Sequence, residues 1–305
     1  MLVDKHQRIH NYLRISLTDA CNFRCFYCMP NEEVEVTPMG KLMSKDEIYE
    51  FAKIFVSLGV NKIRLTGGEP LVRKDIAAII EKLSTLPVKL TMTTNGVLLH
   101  KYIDVLKKGN IQSVNVSLDT LNPSKFLALT KRDHFQQVKD NIDLLLQNEF
   151  SVKVNVVVLN GINEMEINQF VAWTQQEALH VRFIEFMPFA ANQWMSEKVY
   201  TYEQILQTIS TDFEYIKIKD ELNDTTKKYK VLNHEGTFAI ISTMTAPFCN
   251  TCNRLRLTAD GKMKNCLFSK TETDLLTLFR KGGDIKQAIK ENVFIRSIIT
   301  ENESY

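Results

Sequence analysis

Short runs of β-branched residues alternate with longer segments of helical period between Tyr12 and Met187. This alternation predicts repeated βα units and a parallel sheet. The first helix has the clearest signals, because Ser44 and Glu47 form a capping box and Gly59 follows the last apolar position. The predicted strands are Tyr12–Asp19, Val60–Thr66, Val88–Thr94, Gln112–Asp119, Val152–Leu159 and His180–Met187. The pattern therefore predicts an incomplete (β/α)6 barrel of the TIM type.

The pattern changes after Pro188. A short helix is predicted near Tyr202–Ser210, and the chain finishes with polar, weakly helical segments around Gly282-Gly283. Strand-like runs lie between them at Glu214–Lys219, Lys228–Leu232, Thr237–Thr243 and Arg254–Thr258. We therefore expect an α/β protein with a partial barrel over residues 1–190, followed by a smaller, mostly antiparallel β domain over residues 191–305.

One face of most predicted barrel strands is polar, although parallel strands flanked by helices are usually apolar on both faces. Alternate residues of a strand point to the same side. The polar residues that lie at alternate positions, and so on one side of a strand, are Arg14 with Ser16 and Thr18, Arg64 with Thr66, Thr91 with Thr93 and Asn95, Asn115 with Ser117 and Asp119, and Lys153 with Asn155. Unpaired polar groups are costly in an apolar interior, so a polar lumen filled by a ligand is predicted. The alternative is the solvated face of an antiparallel sheet.

Composition excludes several classes of protein. A hydrophobic content of 44% is enough for a large core, which excludes a disordered or collagen-like chain. The net charge of +2 gives no overall attraction to nucleic acid or membrane, so an anionic partner would need a local cluster of cations. No apolar run approaches the roughly 20 residues of a membrane-spanning helix, and the first residues are too polar for a signal peptide. We therefore expect a cytoplasmic protein without membrane or nucleic-acid partners.

The cysteines fall into two groups, the first of which is Cys21, Cys25 and Cys28. A reducing cytosol disfavours disulfides, which makes a disulfide framework the weakest interpretation. A structural zinc ion usually takes four ligands, and no fourth ligand lies near this group. A cubane iron–sulfur cluster on three thiolates would leave one iron open for chemistry, and this interpretation explains the group best.

The second group is Cys249, Cys252 and Cys266. Its Cys-x-x-Cys spacing alone favours a structural zinc ion, with His234 as a fourth ligand. Three thiolates are also compatible with a second cluster that has an open iron, so this alternative stays open.

The radical S-adenosylmethionine (SAM) enzymes share a signature that this chain resembles at Cys21-Asn22-Phe23-Arg24-Cys25-Phe26-Tyr27-Cys28. Their glycine-rich element, which contacts the methionine moiety, is similar to Thr66-Gly67-Gly68-Glu69-Pro70. The second cysteine group, with Arg254 and Arg256 inside it, resembles the GTP 3',8-cyclase family of molybdenum cofactor biosynthesis. Five further segments are similar to the strand motifs of that family and occur in the same order: Leu13–Asp19, Lys62–Pro70, Thr93–Gly96, Asn115–Asp119 and Arg182–Met187.

The resemblance implies a lyase that uses two 4Fe–4S clusters and SAM. The first cluster, on Cys21, Cys25 and Cys28, would cleave SAM to a 5'-deoxyadenosyl radical that takes the ribose 3' hydrogen of GTP. Cyclisation onto C8 would give (8S)-3',8-cyclo-7,8-dihydroguanosine 5'-triphosphate, and no separate catalytic side chain is assigned. The open iron of the second cluster, on Cys249, Cys252 and Cys266, would face the guanine base.

The resemblance also implies binding residues. The residues implied to bind SAM are Tyr27, Gly68, Ser117 and Met187. Thr93 aligns with a position that contacts the substrate in that family. The cations that would bind the triphosphate are Arg14, Arg64, Lys153, Arg182, Arg254 and Arg256. Arg254 and Arg256 lie two apart and so share one side of a strand. From spacing alone, this pair is equally compatible with a solvated arginine ladder.

The implied partners are an electron donor such as flavodoxin or ferredoxin, a downstream cyclic pyranopterin synthase and a second copy of the chain. The family usually ends in a Gly-Gly tail that reaches the active site, whereas this sequence ends at Glu303-Ser304-Tyr305. We expect cluster and substrate binding to be retained, and turnover to rise when the tail is appended. The alternative functions are a radical SAM maturase acting on a peptide and a non-catalytic iron–sulfur or nucleotide sensor.

Overall fold

A computed structural model describes residues 1–28, 36–188, 192, 194–269 and 271–296. The six strands predicted for the first half all form; five are slightly shorter than expected, and the fifth keeps its length but begins one residue earlier. They are β1 (Tyr12–Ser16), β2 (Lys62–Thr66), β3 (Lys89–Thr94), β4 (Ser113–Ser117), β5 (Ser151–Val158) and β6 (His180–Glu185). Each pairs in parallel with the next along the chain, which confirms the predicted βα succession.

Helices connect these strands. They are α1 (Lys45–Ser57), α2 (Ile76–Ser84), α3 (Ile103–Lys108), α4 (Pro123–Thr130), α5 (Phe135–Gln147) and α6 (Ile167–Trp173). Helix α1 begins as predicted, because the Ser44 hydroxyl accepts from the Glu47 backbone N–H and the Glu47 carboxylate accepts from the Ser44 N–H. This reciprocal cap satisfies two of the N–H groups that a helix start leaves unpaired.

The C-terminal region contains more elements than were predicted. They are α7 (Tyr202–Ser210), β7 (Tyr215–Lys217), β8 (Lys227–Val231), β9 (Thr237–Ile241), β10 (Arg254–Leu257), β11 (Lys262–Lys264), β12 (Thr273–Asp274), α8 (Leu275–Arg280) and α9 (Ile285–Phe294). The prediction missed β11 and β12, which are too short to show an alternating pattern.

All of these strands belong to one sheet within the described residues, in the order β12-β11-β10-β1-β2-β3-β4-β5-β6-β9-β8-β7. The C-terminal strands pair antiparallel with one another, as predicted. However, β10 pairs in parallel with β1 and β9 pairs in parallel with β6. The sheet is therefore mixed and is not closed, which confirms an incomplete barrel. The domain boundary at residue 190 stays a prediction.

Most barrel strands have one apolar face and one polar face, as the alternation of their residues predicted. The helix-covered face is apolar, and Leu13, Ile15, Ile63 and Leu65 are fully buried there. On the other face, the strand register sets Arg14 beside both Arg64 and Arg256, Asn115 beside Lys153, and Asn155 beside Arg182. Because these strands are parallel, the alternative of a solvated antiparallel face is wrong. No helix in the described ranges is long and apolar enough to cross a membrane.

Candidate active site

A cavity of about 670 Å³ lies on the polar face of the sheet. The residues predicted to bind GTP all line it: Arg14, Arg64, Thr93, Lys153, Arg182, Arg254 and Arg256. The second cysteine group, Cys249, Cys252 and Cys266, lines the same cavity, and so does Met187. The parallel pairing of β10 with β1 produces this grouping, because it brings the C-terminal arginines beside the first strand.

Several cationic side chains in this cavity have buried N–H groups without a hydrogen-bond partner among the described residues. They are Arg14 Nε, Arg182 Nε and Nη2, Arg254 Nε and Arg296 Nε. An unpaired buried donor costs free energy, so a ligand that supplies acceptors would be favoured there. Guanidinium groups match phosphate oxygens in both charge and geometry. The cavity is therefore built for an anion with many oxygens, and the solvated-ladder alternative for Arg254 and Arg256 does not describe it.

Tyr12 lies at the centre of these cations. Its hydroxyl accepts from Arg64 Nε at 2.6 Å, and Lys62 Nζ lies 4.6 Å from the centre of its ring. Burial raises the pKa of Tyr12, but the positive charges of Arg64, Arg14 and Arg254 outweigh burial and lower it to about 7. The tyrosine thus offers a negative charge that balances part of the cationic cavity.

The pKa values of several other basic side chains in the cavity are lowered in part by repulsion between their positive charges. Burial, followed by the positive charges of Arg182 and Arg64, lowers the pKa of Lys153 to about 8. Burial and the charge of Arg64 lower the pKa of Arg182 to about 9. Burial and the same kind of repulsion from Arg182 and Lys153 lower the pKa of His180 to about 3. An anionic ligand would relieve this repulsion, which again favours a polyanion.

A second cavity, of about 410 Å³, lies at the carboxyl ends of β1 and β2. Cys21, Cys25 and Cys28 line it together with Gly67 and Gly68. Burial, followed by the negative charges of Cys21 and Asp119, raises the pKa of Cys28 to about 11. Burial and the same carboxylate also raise the pKa of Cys25. Three thiols therefore face one space, in which the negative charge of Cys21 disfavours the ionisation of Cys25 and Cys28.

The glycines of the second cavity permit a close chain crossing. The Gly68 N–H donates to the Thr18 carbonyl oxygen at 2.7 Å, and the Glu69 N–H donates to the Ala20 carbonyl at 2.8 Å. A Cβ atom on Gly68 would lie 2.4 Å from the carbonyl oxygens of Asp19 and Ala20, which is far inside contact distance. A side chain at position 68 would clash with the loop that leads into Cys21. Glycine is therefore required there for the turn after β2 to hydrogen-bond to that loop.

The two cavities follow one another along the same strands. On β1, Arg14 lines the larger cavity and Ser16 lines the smaller. Beyond β10, Thr258 lines the smaller cavity, two residues after Arg256 of the larger. Alternate residues share a face, so the cysteine cavity lies at the carboxyl ends of the strands and the arginine cavity lies deeper. Active sites of barrels occupy this end of the strands.

Comparison with known protein families matches residues 15–174 to the Radical SAM superfamily and residues 179–301 to Molybdenum Cofactor Synthesis C. The chain is 47% identical over 295 residues to the mitochondrial GTP 3',8-cyclase of Arabidopsis thaliana, covering 95% of this chain and 75% of that protein. It is 40% identical over 298 residues to the GTP 3',8-cyclase of Peptoclostridium acidaminophilum, covering 96% and 91%. This chain belongs to the GTP 3',8-cyclase family of the radical SAM superfamily. It is therefore an enzyme of the radical SAM class.

Other relatives of this family are longer than the chain. Molybdenum cofactor biosynthesis protein 1 of Homo sapiens is 42% identical over 293 residues, which cover 95% of this chain and 46% of that protein. The chain thus spans about half the length of this and several similar relatives.

Solved structures show the same fold at low identity. SuiB of Streptococcus suis bound to S-adenosylmethionine has a TM-score of 0.65 at 15% identity, covering 93% of this chain and 66% of that one. His6-tagged anSMEcpe with bound AdoMet has a TM-score of 0.64 at 16% identity, covering 94% and 77%. These similarities show the incomplete radical SAM barrel and carry no further conclusion about substrate.

Radical SAM enzymes use SAM together with an iron–sulfur cluster, and the cysteine cavities fit such clusters. All six cysteines are free thiols, and each triad lines one cavity. In the part of the chain that the structure describes, no three His, Cys, Asp or Glu side chains converge closely enough to hold a single metal ion. Thiolates spread around a cavity suit a cluster of several irons better than one zinc ion.

His234 does not join the second cysteine triad. Its Nδ1 lies 2.9 Å from the Thr174 hydroxyl oxygen, and its ring packs edge-on against Phe213. It is buried at this separate position and does not line the arginine cavity. The interpretation of a zinc ion with His234 as its fourth ligand is therefore wrong.

The residues predicted to bind SAM are not gathered in one cavity. Gly68 lines the cysteine cavity, and Met187 lines the arginine cavity. The Tyr27 hydroxyl donates to the Asp119 carboxylate, just beyond β4. Ser117 is half-buried at the end of β4, and neither it nor Tyr27 lines either cavity. Their roles toward SAM stay predictions.

The polar residues of the arginine cavity that sequence reasoning missed include Tyr12, Lys62 and His180. Each lies two positions before a predicted residue, Arg14, Arg64 and Arg182 respectively. The same two-residue period would have found them if it had been extended to the start of each strand. Arg296 was also missed, and no local pattern marks it. The chain end at Glu303-Ser304-Tyr305, where the Gly-Gly tail was expected, lies outside the described residues.

Proposed function

We propose that this protein is a GTP 3',8-cyclase that converts GTP to (8S)-3',8-cyclo-7,8-dihydroguanosine 5'-triphosphate in molybdenum cofactor biosynthesis. One observation carries the proposal: a single cavity joins the cationic residues and the second cysteine triad. A triphosphate needs the cations, and the thiol triad beside them suits a metal cluster that binds the nucleobase. Relatives named GTP 3',8-cyclase at 40% and 47% identity support the same substrate.

The protein's own contribution to substrate binding is electrostatic. Arg14, Arg256 and Arg64 stand side by side across three neighbouring strands, and Lys153 and Arg182 line the same cavity. The unpaired N–H groups of Arg14, Arg182 and Arg254 would donate to the phosphate oxygens of GTP, since guanidinium groups bind such oxygens in pairs. Arg64 also holds Thr93, whose hydroxyl oxygen lies 3.2 Å from Arg64 Nη1, which supports the predicted role of Thr93 in substrate binding.

The cysteines would hold the two 4Fe–4S clusters, the first on Cys21, Cys25 and Cys28. The second would lie on Cys249, Cys252 and Cys266. When bound, the first cluster supplies the electron that cleaves SAM and so starts the radical chemistry on the ribose.

The surroundings of the first site favour the positively charged sulfonium of SAM. Asp119 and Glu69 are buried carboxylates near these cysteines, and the negative charge of Asp119 raises the pKa of Cys25 and Cys28. A bound cation is stabilised by carboxylates in a buried setting. We assign Tyr27, Gly68, Ser117 and Met187 to SAM as the family resemblance implies, with Tyr27 held by Asp119.

The remaining assignments follow from the family. We propose residues 1–190 as the radical SAM domain and residues 191–305 as the substrate domain. Flavodoxin or ferredoxin would supply electrons, a cyclic pyranopterin synthase would consume the product, and the chain would form a homodimer. A cytoplasmic location stays a prediction, and one relative is named as mitochondrial.

Anaerobic turnover tests the proposal. The protein is reconstituted with iron and sulfide and incubated with SAM, GTP and dithionite, and 5'-deoxyadenosine and the cyclised nucleotide are measured by mass spectrometry. Both products are expected, and both should be lost in Cys21→Ala. Deoxyadenosine without the cyclised nucleotide would overturn the substrate assignment and leave the peptide maturase. Neither product, with about eight irons bound per chain as two cubane clusters require, would indicate a sensor.

A further inference from the structure

A chain of buried polar side chains runs from the N-terminal segment to the sulfur of Cys252. Asp4, His10 and Arg296 are at most 3% exposed. Asp4 Oδ2 lies 2.9 Å from His10 Nε2, and His10 Nδ1 lies 3.0 Å from Arg296 Nη1. Arg296 Nη2 donates to Cys252 Sγ at 3.1 Å. None of these groups except Cys252 has a role in the proposed reaction.

The donors and acceptors of this chain are determined by its arginine. Arg296 can only donate, so His10 Nδ1 must accept, and the ring proton must lie on Nε2, from which it is donated to Asp4. Burial also lowers the pKa of His10, which keeps the ring neutral and able to accept. The histidine is therefore a spacer of fixed orientation between the carboxylate and the guanidinium.

A further hydrogen bond holds the guanidinium in place. Arg296 Nη1 also donates to the carbonyl oxygen of Arg254 at 2.6 Å. With Nη1 bound to His10 and to the strand β10 backbone, the planar fork has one orientation, in which Nη2 is directed at the sulfur. This arrangement makes the contact with Cys252 a built feature of the fold.

Asp4 places a second arginine behind the same triad. Arg8 Nε donates to Asp4 Oδ2 at 2.7 Å, and Arg8 Nη1 donates to the carbonyl oxygen of Cys249 at 2.6 Å. Arg8 thus contacts the peptide of one cysteine, whereas Arg296 contacts the sulfur of another. The N-terminal segment therefore supports both halves of the Cys-x-x-Cys loop.

The first triad has different sulfur contacts. Cys21 Sγ accepts from the Phe23 backbone N–H at 3.4 Å, and the Asn95 amide nitrogen lies 3.9 Å away. Both of these donors are uncharged. Hydrogen bonds to ligand sulfurs and nearby positive charge stabilise the reduced, more negative form of an iron–sulfur cluster. A charged donor on Cys252 therefore predicts that the two clusters differ in potential.

We propose that Arg296 is a positioning residue of the second iron–sulfur site: oriented by His10 and Asp4, it donates an N–H···S hydrogen bond to Cys252 and raises the reduction potential of the cluster bound there. The inference rests on the proposed assignment of a cluster to Cys249, Cys252 and Cys266.

The test isolates the second cluster in a full-length chain in which Cys21, Cys25 and Cys28 are replaced by Ala. After anaerobic reconstitution, bound iron, the electron paramagnetic resonance spectrum and the midpoint potential are measured. In Arg296→Met the equilibrium constant for reduction should fall at least about tenfold, which is 59 mV toward more negative potential for one electron. His10→Ala should shift the potential in the same direction by less, because Arg296 loses one of its anchors.

Arg280→Met is the matched control. Arg280 donates to Glu47 at 2.7 Å on a partly exposed surface and does not line the arginine cavity, so its loss should leave the potential unchanged. A potential in Arg296→Met equal to that of the parent, with equal iron content, overturns the inference. Loss of the cluster in Arg296→Met with unchanged circular dichroism and melting temperature supports it.

Two further outcomes are distinguishable. If Arg296→Met does not fold, Arg296→Gln is used, because it removes both the planar fork and the positive charge; an unchanged potential there overturns the inference, and a lowered one supports it. If the parent itself binds no iron on the second triad, the proposed function fails and the inference falls with it. Iron content of the parent therefore separates the two failures.

Discussion

The two cysteine triads use the same ligand chemistry in different settings. Cys21, Cys25 and Cys28 lie on one short loop after β1, whereas Cys249 and Cys252 precede the β10–β11 hairpin and Cys266 follows it. The first triad is therefore local in sequence, and none of its three cysteines is fully buried. The second is assembled by strand pairing, and Cys252 is buried.

The charges around the triads are opposite in sign. Asp119 raises the pKa of the thiols of Cys25 and Cys28. For Cys252, burial raises the pKa, but the positive charges of Arg296 and Arg254 outweigh it and the net pKa is lowered. A cationic ligand such as SAM is stabilised beside carboxylates, and a triphosphate is stabilised beside arginines. In the proposed function, it is therefore the surrounding charge, and not the set of thiols, that distinguishes the site for SAM from the site for the triphosphate.

The largest effect is expected when one cysteine of either triad is replaced. These two single variants test whether the triads have different roles. Cys21→Ala should reduce formation of 5'-deoxyadenosine by at least about 10³-fold, because no other group replaces the cluster that cleaves SAM. Cys266→Ala should keep deoxyadenosine formation and lose the cyclised nucleotide. Both products are quantified by mass spectrometry together with bound iron.

About four irons per chain are expected in each single variant and about eight in the parent protein. Equal loss of both products in the two variants would contradict the division of labour between the triads.

The pH dependence of GTP binding would sharpen the charge comparison with a smaller effect. Lys153, with a pKa of about 8, loses its charge as the pH rises, and Tyr12, with a pKa of about 7, gains a negative charge. Both changes oppose a polyanion, so the Kd for GTP should rise on the order of tenfold from pH 7 to pH 8.5. Binding is measured by calorimetry without SAM or reductant.

Two conservative variants show which group causes each part of the pH dependence of the Kd for GTP. Tyr12→Phe should remove the portion near pH 7, and Lys153→Arg should remove the portion near pH 8, because guanidinium stays protonated. A flat profile in the parent, or the parent profile in both variants, would show that these groups do not face the ligand.

The smallest effect is expected at His234. Because this ring bonds to Thr174 away from the second triad, His234→Gln should leave iron and zinc content unchanged. Losing or weakening one buried hydrogen bond should cost about 1 kcal/mol of unfolding free energy. Metal analysis and thermal unfolding test both statements, and a loss of bound metal would restore the zinc interpretation.

Much of the fold was predictable because its signals are local. The alternation of β1 to β6 with helices, the Ser44 and Glu47 cap and the polar parity of Arg14 and Arg64 were all visible in short windows. The role of β10 was only partly visible. Its alternating pattern predicted a strand, but which edge it would join depends on contacts far apart in the chain.

The candidate site divides in the same way. The spacing of Cys21, Cys25 and Cys28 and the position of Gly68 indicated the chemistry from sequence alone, because each is set within one loop. Tyr12 and Lys62 follow the same strand period and could have been found by extending it. Arg296 could not, since its contact with Cys252 joins the end of α9 to a loop before β10 through His10.

The sequence by itself determined the strands, the caps and both sets of thiols, because strand period, helix capping and ligand spacing act over a few residues. Only the tertiary structure decided that Arg256 stands beside Arg14, that His234 lies apart from the second triad and that Arg296 reaches a sulfur. These relations depend on which strand edges and chain ends pack together. That choice depends on the combined burial and hydrogen bonding of the whole chain, which no short stretch of residues encodes.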